Sequence, residues 1–279
     1  MSMHRLKHWI LAAGVAAILA PAAYAQKEAA AKGPSISKAV AKQVKTAQDA
    51  IKKEKWADCV AALQSTEAVA DKPPYDVFAV AELLGFCAAR NGDTAGAEAA
   101  FSKGLEAGFL DDANRLIRYK QLLQLNYNLK AYERAAGFGE QAIAAGNTEE
   151  PVALLTAQSY YLLNDFKRTT GFIDKWLAAL QSRGEKPAEI ALQLYVSSCS
   201  KLDDDTCILK ALEKQLEFHP RPETPGNITL VLLRNASEGN TLNVFRYAFE
   251  AGGMRRGEDY TEMAQLSIEK GLPGEALAV

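Results

Sequence analysis

One pattern recurs seven times along the chain: a small or apolar residue, a turn nine residues later, then small or apolar residues three and ten past the turn. The turns centre on Trp56, Thr94, Tyr132, Phe166, Thr206, Thr241 and Pro273, giving spacings of 38, 38, 34, 40, 35 and 32 residues. A period in that range belongs to repeated helical hairpins. Each such unit leaves an apolar face that only its neighbours can cover, so the chain is predicted to be an all-α solenoid of about seven hairpins, the last incomplete. No alternating strand pattern interrupts it from Ser35 onward.

The N-terminus obeys other rules. Met1 to His8 carries Arg5 and Lys7, Trp9 to Ala20 is apolar, and Ala23-Tyr24-Ala25 is a small-x-small cleavage signal. These are the parts of a secretory signal peptide cleaved after Ala25. The apolar stretch is 12 residues long, well short of the roughly 20 that span a bilayer. No Cys follows the cleavage position to accept a lipid, and no later apolar run has membrane-spanning length. Residues 26–34, QKEAAAKGP, are expected to form a flexible tether.

Cleavage removes Arg5, Lys7 and no acid, taking the formal charge from −2 to −4. That balance argues against a nucleic-acid partner. Two of the three His residues, His4 and His8, leave with the signal peptide. His219 alone remains, at a predicted helix end where its ring would face terminal carbonyls. Zinc sites built on several His are thereby excluded. Asp203-Asp204-Asp205 lacks the spread of oxygen ligands of a calcium loop and reads as a helix cap. Gly137-Phe138-Gly139 has neither the third glycine nor the preceding strand of a dinucleotide site. No cofactor and no metal are expected. Cys59, Cys87, Cys199 and Cys207 allow three pairings in an oxidising compartment, and their spacing alone does not choose among them.

The second repeat is the most regular. Leu84-Gly85 lies in its first helix, Gly92-Asp93 makes the turn, and Ala97, Phe101 and Gly104 follow in the second helix. Small residues at these crossings let two helix axes approach, while large ones fill the space beside them. In these residues the repeat resembles the tetratricopeptide repeat. The corresponding residues are Ala47, Cys59, Leu63 and Thr66 around Trp56, Leu123, Ala135, Gly139 and Ala142 around Tyr132, and Ala157, Thr169, Ile173 and Trp176 around Phe166. Trp56 and Trp176 are expected in the core. The next two depart further, with Ser197, Leu209, Glu213 and Leu216 around Thr206, then Leu232, Val244, Ala248 and Ala251 around Thr241.

Repeats are thus expected over 35–219 and, in divergent form, over 227–279. Between them Pro220, Pro222 and Pro225 predict a loop over 220–226 and a joint between two stacks. The seventh copy has Gly271-Leu272-Pro273 as its turn and Ala276 at the small position, and its second helix reaches Val279 after about two turns. Further chain beyond Val279 is expected. The signal peptide, the Leu84-Gly85 repeat, the hairpin carrying Ser198-Cys199 and Ala211-Leu212-Glu213, the Tyr260–Gln265 segment and Gly271-Leu272-Pro273-Gly274-Glu275-Ala276 together make the chain similar to exported tetratricopeptide proteins of Gram-negative bacteria. That resemblance implies the periplasm and supplies no substrate.

In such arrays the first helices line a concave face. Counting back from each turn places Glu82, Phe86 and Arg90, then Lys120, Gln124, Tyr127 and Asn128, then Gln158 and Tyr161, then Ser198 and Lys201 on it. Amides can bond a peptide backbone, and tyrosines give contact area at low entropic cost. Tyr127 and Tyr161 also recur at the same offset from successive turns. The carboxylate clamp used by some tetratricopeptide proteins does not carry over. Lys120 is compatible with it, but Gln124 and Gln158 replace the expected Asn, and Ala191 and Tyr195 replace the Lys and Arg of the next helix. The expectation is a non-catalytic periplasmic scaffold for a protein or peptide partner. The alternatives are an accessory platform for cell-envelope glycan processing, with any catalytic part beyond Val279, and a self-associating structural protein.

Overall fold

A computed structural model describes residues 34–279. The signal peptide and the tether up to Gly33 lie outside the described residues. Two compact units follow, one ending at Thr148 and the other spanning Glu149–Val279. The boundary falls there and not at the Pro-rich segment where the sequence suggested a joint.

The first unit holds three helical hairpins: α1 (Lys38–Lys52) with α2 (Trp56–Gln64), α3 (Pro74–Arg90) with α4 (Thr94–Glu106), and α5 (Asp112–Asn128) with α6 (Tyr132–Ala144). The second holds four: α7 (Glu150–Leu162) with α8 (Phe166–Ser182), α9 (Glu189–Lys201) with α10 (Asp205–Phe218), α11 (Thr224–Arg234) with α12 (Thr241–Glu250), and α13 (Gly257–Glu269) with α14 (Pro273–Ala278). Within each unit every helix packs on the next in sequence, so each is a short all-α solenoid with a tetratricopeptide-like fold. There is no strand among the described residues.

Six of the seven predicted turn centres are the first residues of second helices. Six of the seven turns share one mechanism, which the turn before α12 does not use. Two residues before the second helix the chain takes a left-handed conformation, at Glu54, Gly92, Lys130, Asn164, Asp203 and Gly271. The next N–H reaches back five residues to a first-helix carbonyl, as from Asp93 to Ala88 at 2.9 Å, Ala131 to Asn126 at 2.9 Å and Asp165 to Tyr160 at 3.1 Å. Such closures satisfy carbonyls that a helix end otherwise leaves without partners. Where the following residue is Asp, its side chain then caps the second helix: Asp93 accepts from Gly96 at 2.8 Å, Asp165 from Arg168 at 2.9 Å and Asp204 from Cys207 at 2.9 Å. The acidic run 203–205 is therefore turn, cap and first helical residue, as its capping assignment anticipated.

The exception is the fifth hairpin. Its second helix begins at Asp205, one residue before the predicted Thr206. The buried positions become Ile208, Leu212 and Gln215, not Leu209, Glu213 and Leu216. One residue is about 100° of helix, so the slip exchanges one face for another. The fifth repeat consequently departs less from the pattern than its sequence suggested.

The second hairpin packs as its small residues require. A Cβ on Gly85 would overlap the Phe101 ring, and one on Gly104 would overlap the Glu82 carboxylate. Ala97 is fully buried and Phe101 nearly so. In the second unit Ala157, Ile173, Leu194, Tyr195, Ile208 and Leu212 form one continuous core. Trp176 is buried as expected, but Trp56 is half-exposed because it sits at the start of α2, edge-on to Phe86. Disulfides Cys59–Cys87 and Cys199–Cys207 link α2 to α3 and α9 to α10 and use all four cysteines.

The Pro-rich loop is shorter than 220–226. Helix α11 begins at Thr224 with Pro225 in its first turn, where a missing N–H costs no helical hydrogen bond. His219 ends α10, yet its Nε2 lies 2.8 Å from the Pro187 carbonyl before α9 and not on its own helix's carbonyls.

Candidate functional site

Helix α5 carries the fullest set of predicted binding residues. Arg118, Leu122, Leu123 and Asn126 form its buried side, which leaves Lys120, Gln124, Tyr127 and Asn128 along another face. Gln124 and Asn128 are exposed, and the Gln124 amide donates to Asn128 Oδ1 at 3.0 Å across one helical turn. Tyr127 is half-buried, its ring edge-on to Tyr132 with centroids 5.5 Å apart. Burial, then the neighbouring Tyr132, raises its phenol above the ordinary range, so it stays protonated and can donate.

The other members divide between the units. Arg90 is exposed and lies 4.7 Å over the Trp56 ring, with Phe86 completing the group. It is an aromatic-stacked cation at the end of α3. Gln158 and Tyr161 lie on α7, and the Tyr161 hydroxyl meets Ser197 Oγ of α9 at 2.9 Å. Lys201 is exposed one turn beyond Ser197 on α9. The face in the second unit therefore joins Tyr161 to the Ser197–Lys201 stripe.

Two residues placed on this face belong elsewhere. Ser198 is fully buried and donates to the Leu194 carbonyl of its own helix at 2.7 Å. Glu82 forms a largely buried ion pair with Arg118, joining α3 to α5. Burial pushes Glu82 up and Arg118 down from their ordinary values, while each partner opposes the other's shift. The Arg118 guanidinium also lies 3.6 Å over the Phe101 ring. Beside this pair Asn126 donates to Glu98 at 3.1 Å, Ser102 donates to the same carboxylate at 3.0 Å, and Arg134 pairs with it. Composition gave no warning of this polar seam, because Arg118 and Asn126 look like surface residues until the register of α5 is fixed.

The recurrence of Tyr127 and Tyr161 has a cause inside each hairpin. Both rings close on the aromatic residue that opens the next helix, Tyr127 on Tyr132 and Tyr161 on Phe166 at 5.4 Å. Aromatic pairs at this separation favour the edge-on geometry. The shared offset thus reflects hairpin closure, with exposure of one ring edge as its by-product. The clamp's absence also has a physical form, since Ala191 and Tyr195 are buried in the core and the Tyr195 hydroxyl donates to Asp174.

Among the described residues no helix is long and apolar enough to cross a membrane, and no group of three or more His, Cys, Asp or Glu is placed to hold a metal ion. An open apolar cavity was not anticipated. Leu209, Glu213, Leu216 and Glu217 of α10, Ile228 and Leu232 of α11, and Tyr247 of α12 enclose about 500 Å³.

No protein-family model and no curated protein matches the chain. Solved structures do. A tetratricopeptide repeat protein from Parabacteroides merdae is similar at 11% identity and a TM-score of 0.41, over 86% of this chain and 90% of that one. The C-terminal part of a tetratricopeptide-repeat-containing protein from Cytophaga hutchinsonii gives 16%, 0.40, 76% and 96%. PilW, a type IV pilus biogenesis factor, gives 14%, 0.38, 70% and 99%.

Proposed function

We propose that the chain is a non-catalytic, exported interaction protein that holds an extended peptide or a partner helix against the polar faces of its first helices. The observation that carries this is the α5 face: two exposed amides one turn apart, a protonated tyrosine beside them, and Lys120 one turn earlier. The amides must give up only one mutual, solvent-exposed bond to pair with a peptide backbone, and the Tyr127 edge adds apolar contact. In the second unit Gln158, Tyr161 and Lys201 provide the same chemistry, with Tyr161 held by Ser197.

Export to the periplasm accords with the signal sequence and with two disulfides that leave no cysteine free. Mass measurement of the protein recovered from its native envelope is expected to show a chain starting at Gln26 with no titratable thiol. A chain retaining Met1 or carrying free thiols would refute the export reading.

The binding reading is tested on exposed positions, because Tyr127 and Tyr161 also close their hairpins. Gln124→Ala with Asn128→Ala, and separately Lys201→Ala, are expected to leave helical circular dichroism unchanged. Each should reduce partner recovery from the native envelope, compared with the wild type. Undiminished recovery with both variants would end the assignment.

A further inference from the structure

The cavity on α10, α11 and α12 opens at the margin of the second unit's core, to which Ile228 belongs and against which Leu209, Leu216, Leu232 and Tyr247 pack. Ile208, Ala211, Leu212 and Gln215 turn α10 inward. Leu209, Glu213 and Leu216 then follow one another along the adjoining stripe at helical spacing. Ile228 and Leu232 repeat one turn apart on α11, and Tyr247 closes the wall from α12. Leu209, Leu216, Leu232 and Tyr247 are all only half-buried, so four large apolar side chains pack on the core by one side and leave the other partly exposed around the same space. A volume of about 500 Å³ falls within the range of sites that take a ligand or an anchoring side chain.

Its charge is one-sided. The lining contains two carboxylates, Glu213 and Glu217, and no base. Glu217 pairs with Lys214 at 2.8 Å on the exposed flank of α10, whereas Glu213 is exposed and makes no ion pair among the described residues. The Tyr247 phenol, raised by burial and then by Glu213, remains a hydrogen-bond donor. An apolar floor, a tyrosine hydroxyl and an acidic rim together complement an aliphatic or aromatic side chain with a cation beside it. They repel a segment carrying acids at the same place.

We propose that this groove is a second docking surface, which binds an amphipathic segment of a protein partner through an apolar anchor set between α10, α11 and α12 and a Lys or Arg paired with Glu213. It lies mainly on second helices and is separate from the first-helix faces proposed above.

The test uses the full mature chain with its Leu and Ile methyl groups labelled for nuclear magnetic resonance. Three amidated peptides on one Ala/Gln helical frame serve as probes. The first has two Leu one turn apart with flanking Lys, the second has Glu in place of Lys, and the third keeps Lys but has Ser in place of Leu. The first peptide is expected to shift the methyls of Leu209, Leu216, Ile228 and Leu232 and to bind more tightly than either other peptide.

Glu213→Lys, at an exposed position, should keep the methyl spectrum of the fold. It should weaken the first peptide by about fivefold, the upper range for one exposed ion pair, and improve the second. Gln124→Ala with Asn128→Ala should leave the titration unchanged, which separates failure here from failure of the first-helix reading. Three results would overturn the proposal: no shift at those four methyls, equal binding of the Ser peptide, or a charge preference that Glu213→Lys does not alter.

Discussion

Asp165 shows how much a single side chain does at a hairpin turn. It follows the left-handed Asn164, caps α8 through the Arg168 N–H at 2.9 Å and holds the Arg168 side chain at 2.6 Å. The backbone hydrogen bond, then the side-chain one, lowers its carboxyl below the ordinary 3.8. Folding therefore favours the ionised form. The contribution is complete above the ordinary value and is lost as pH falls through the lower folded one. Asp165→Ala is expected to destabilise the protein by about 1 kcal/mol at neutral pH, as removal of a helix cap does. The difference from wild type should shrink in acid, and urea unfolding across that range checks both. At this scale much was legible: Gly85, Ala97, Phe101 and Gly104 declare their roles because size alone decides what fits at a helix crossing. Arg118 was not legible. Its partner Glu82 lies 36 residues away, and neither sits in a motif that would mark it as buried.

At the scale of the element, a left-handed residue two before the second helix sets the register in six of the seven hairpins. The left-handed region costs a non-glycine residue about 1–2 kcal/mol, yet Glu54 and Lys130 occupy it with φ of 54° and 60°. Both are exposed. Lys130→Gly is expected to stabilise the protein by up to about 1 kcal/mol, since relief of strain exceeds the added entropy of an unfolded glycine. Thermal and urea unfolding of this variant decide it, and a destabilised variant would contradict the turn mechanism. The same mechanism explains why the fifth repeat was misread. Three consecutive Asp residues each suit a turn or a cap, so composition could not say which one starts the helix. The positive φ at Asp203 does. A register wrong by one residue then hid the α10 groove among apparent core positions. The disulfides also belong to this scale. Cys59–Cys87 closes 28 residues between successive hairpins, and Cys199–Cys207 closes 8 within one. On a chain-entropy account their removal as Ala pairs should cost about 3.5 and about 2.5 kcal/mol respectively. A reversed order in urea unfolding would show that strain or residual structure outweighs loop length.

For the whole molecule, the sevenfold period was legible because every hairpin must cover the apolar face of its neighbour, and that demand repeats at each crossing. The division at Thr148 was not, because no Pro-rich or Gly-rich segment marks it, whereas the segment that does look like a break starts α11. Binding faces are less legible still, since exposure to solvent and exposure to a partner select similar residues. Whether the first-helix faces hold the partner is decided by placing a photo-crosslinking amino acid at Gln124 and at Lys201. Lys175, exposed on second helix α8, serves as the control, with each variant irradiated in the native envelope. One discrete protein adduct is expected from Gln124 and Lys201 and none from Lys175. An equal yield from all three positions, or an adduct from Lys175 alone, would contradict it.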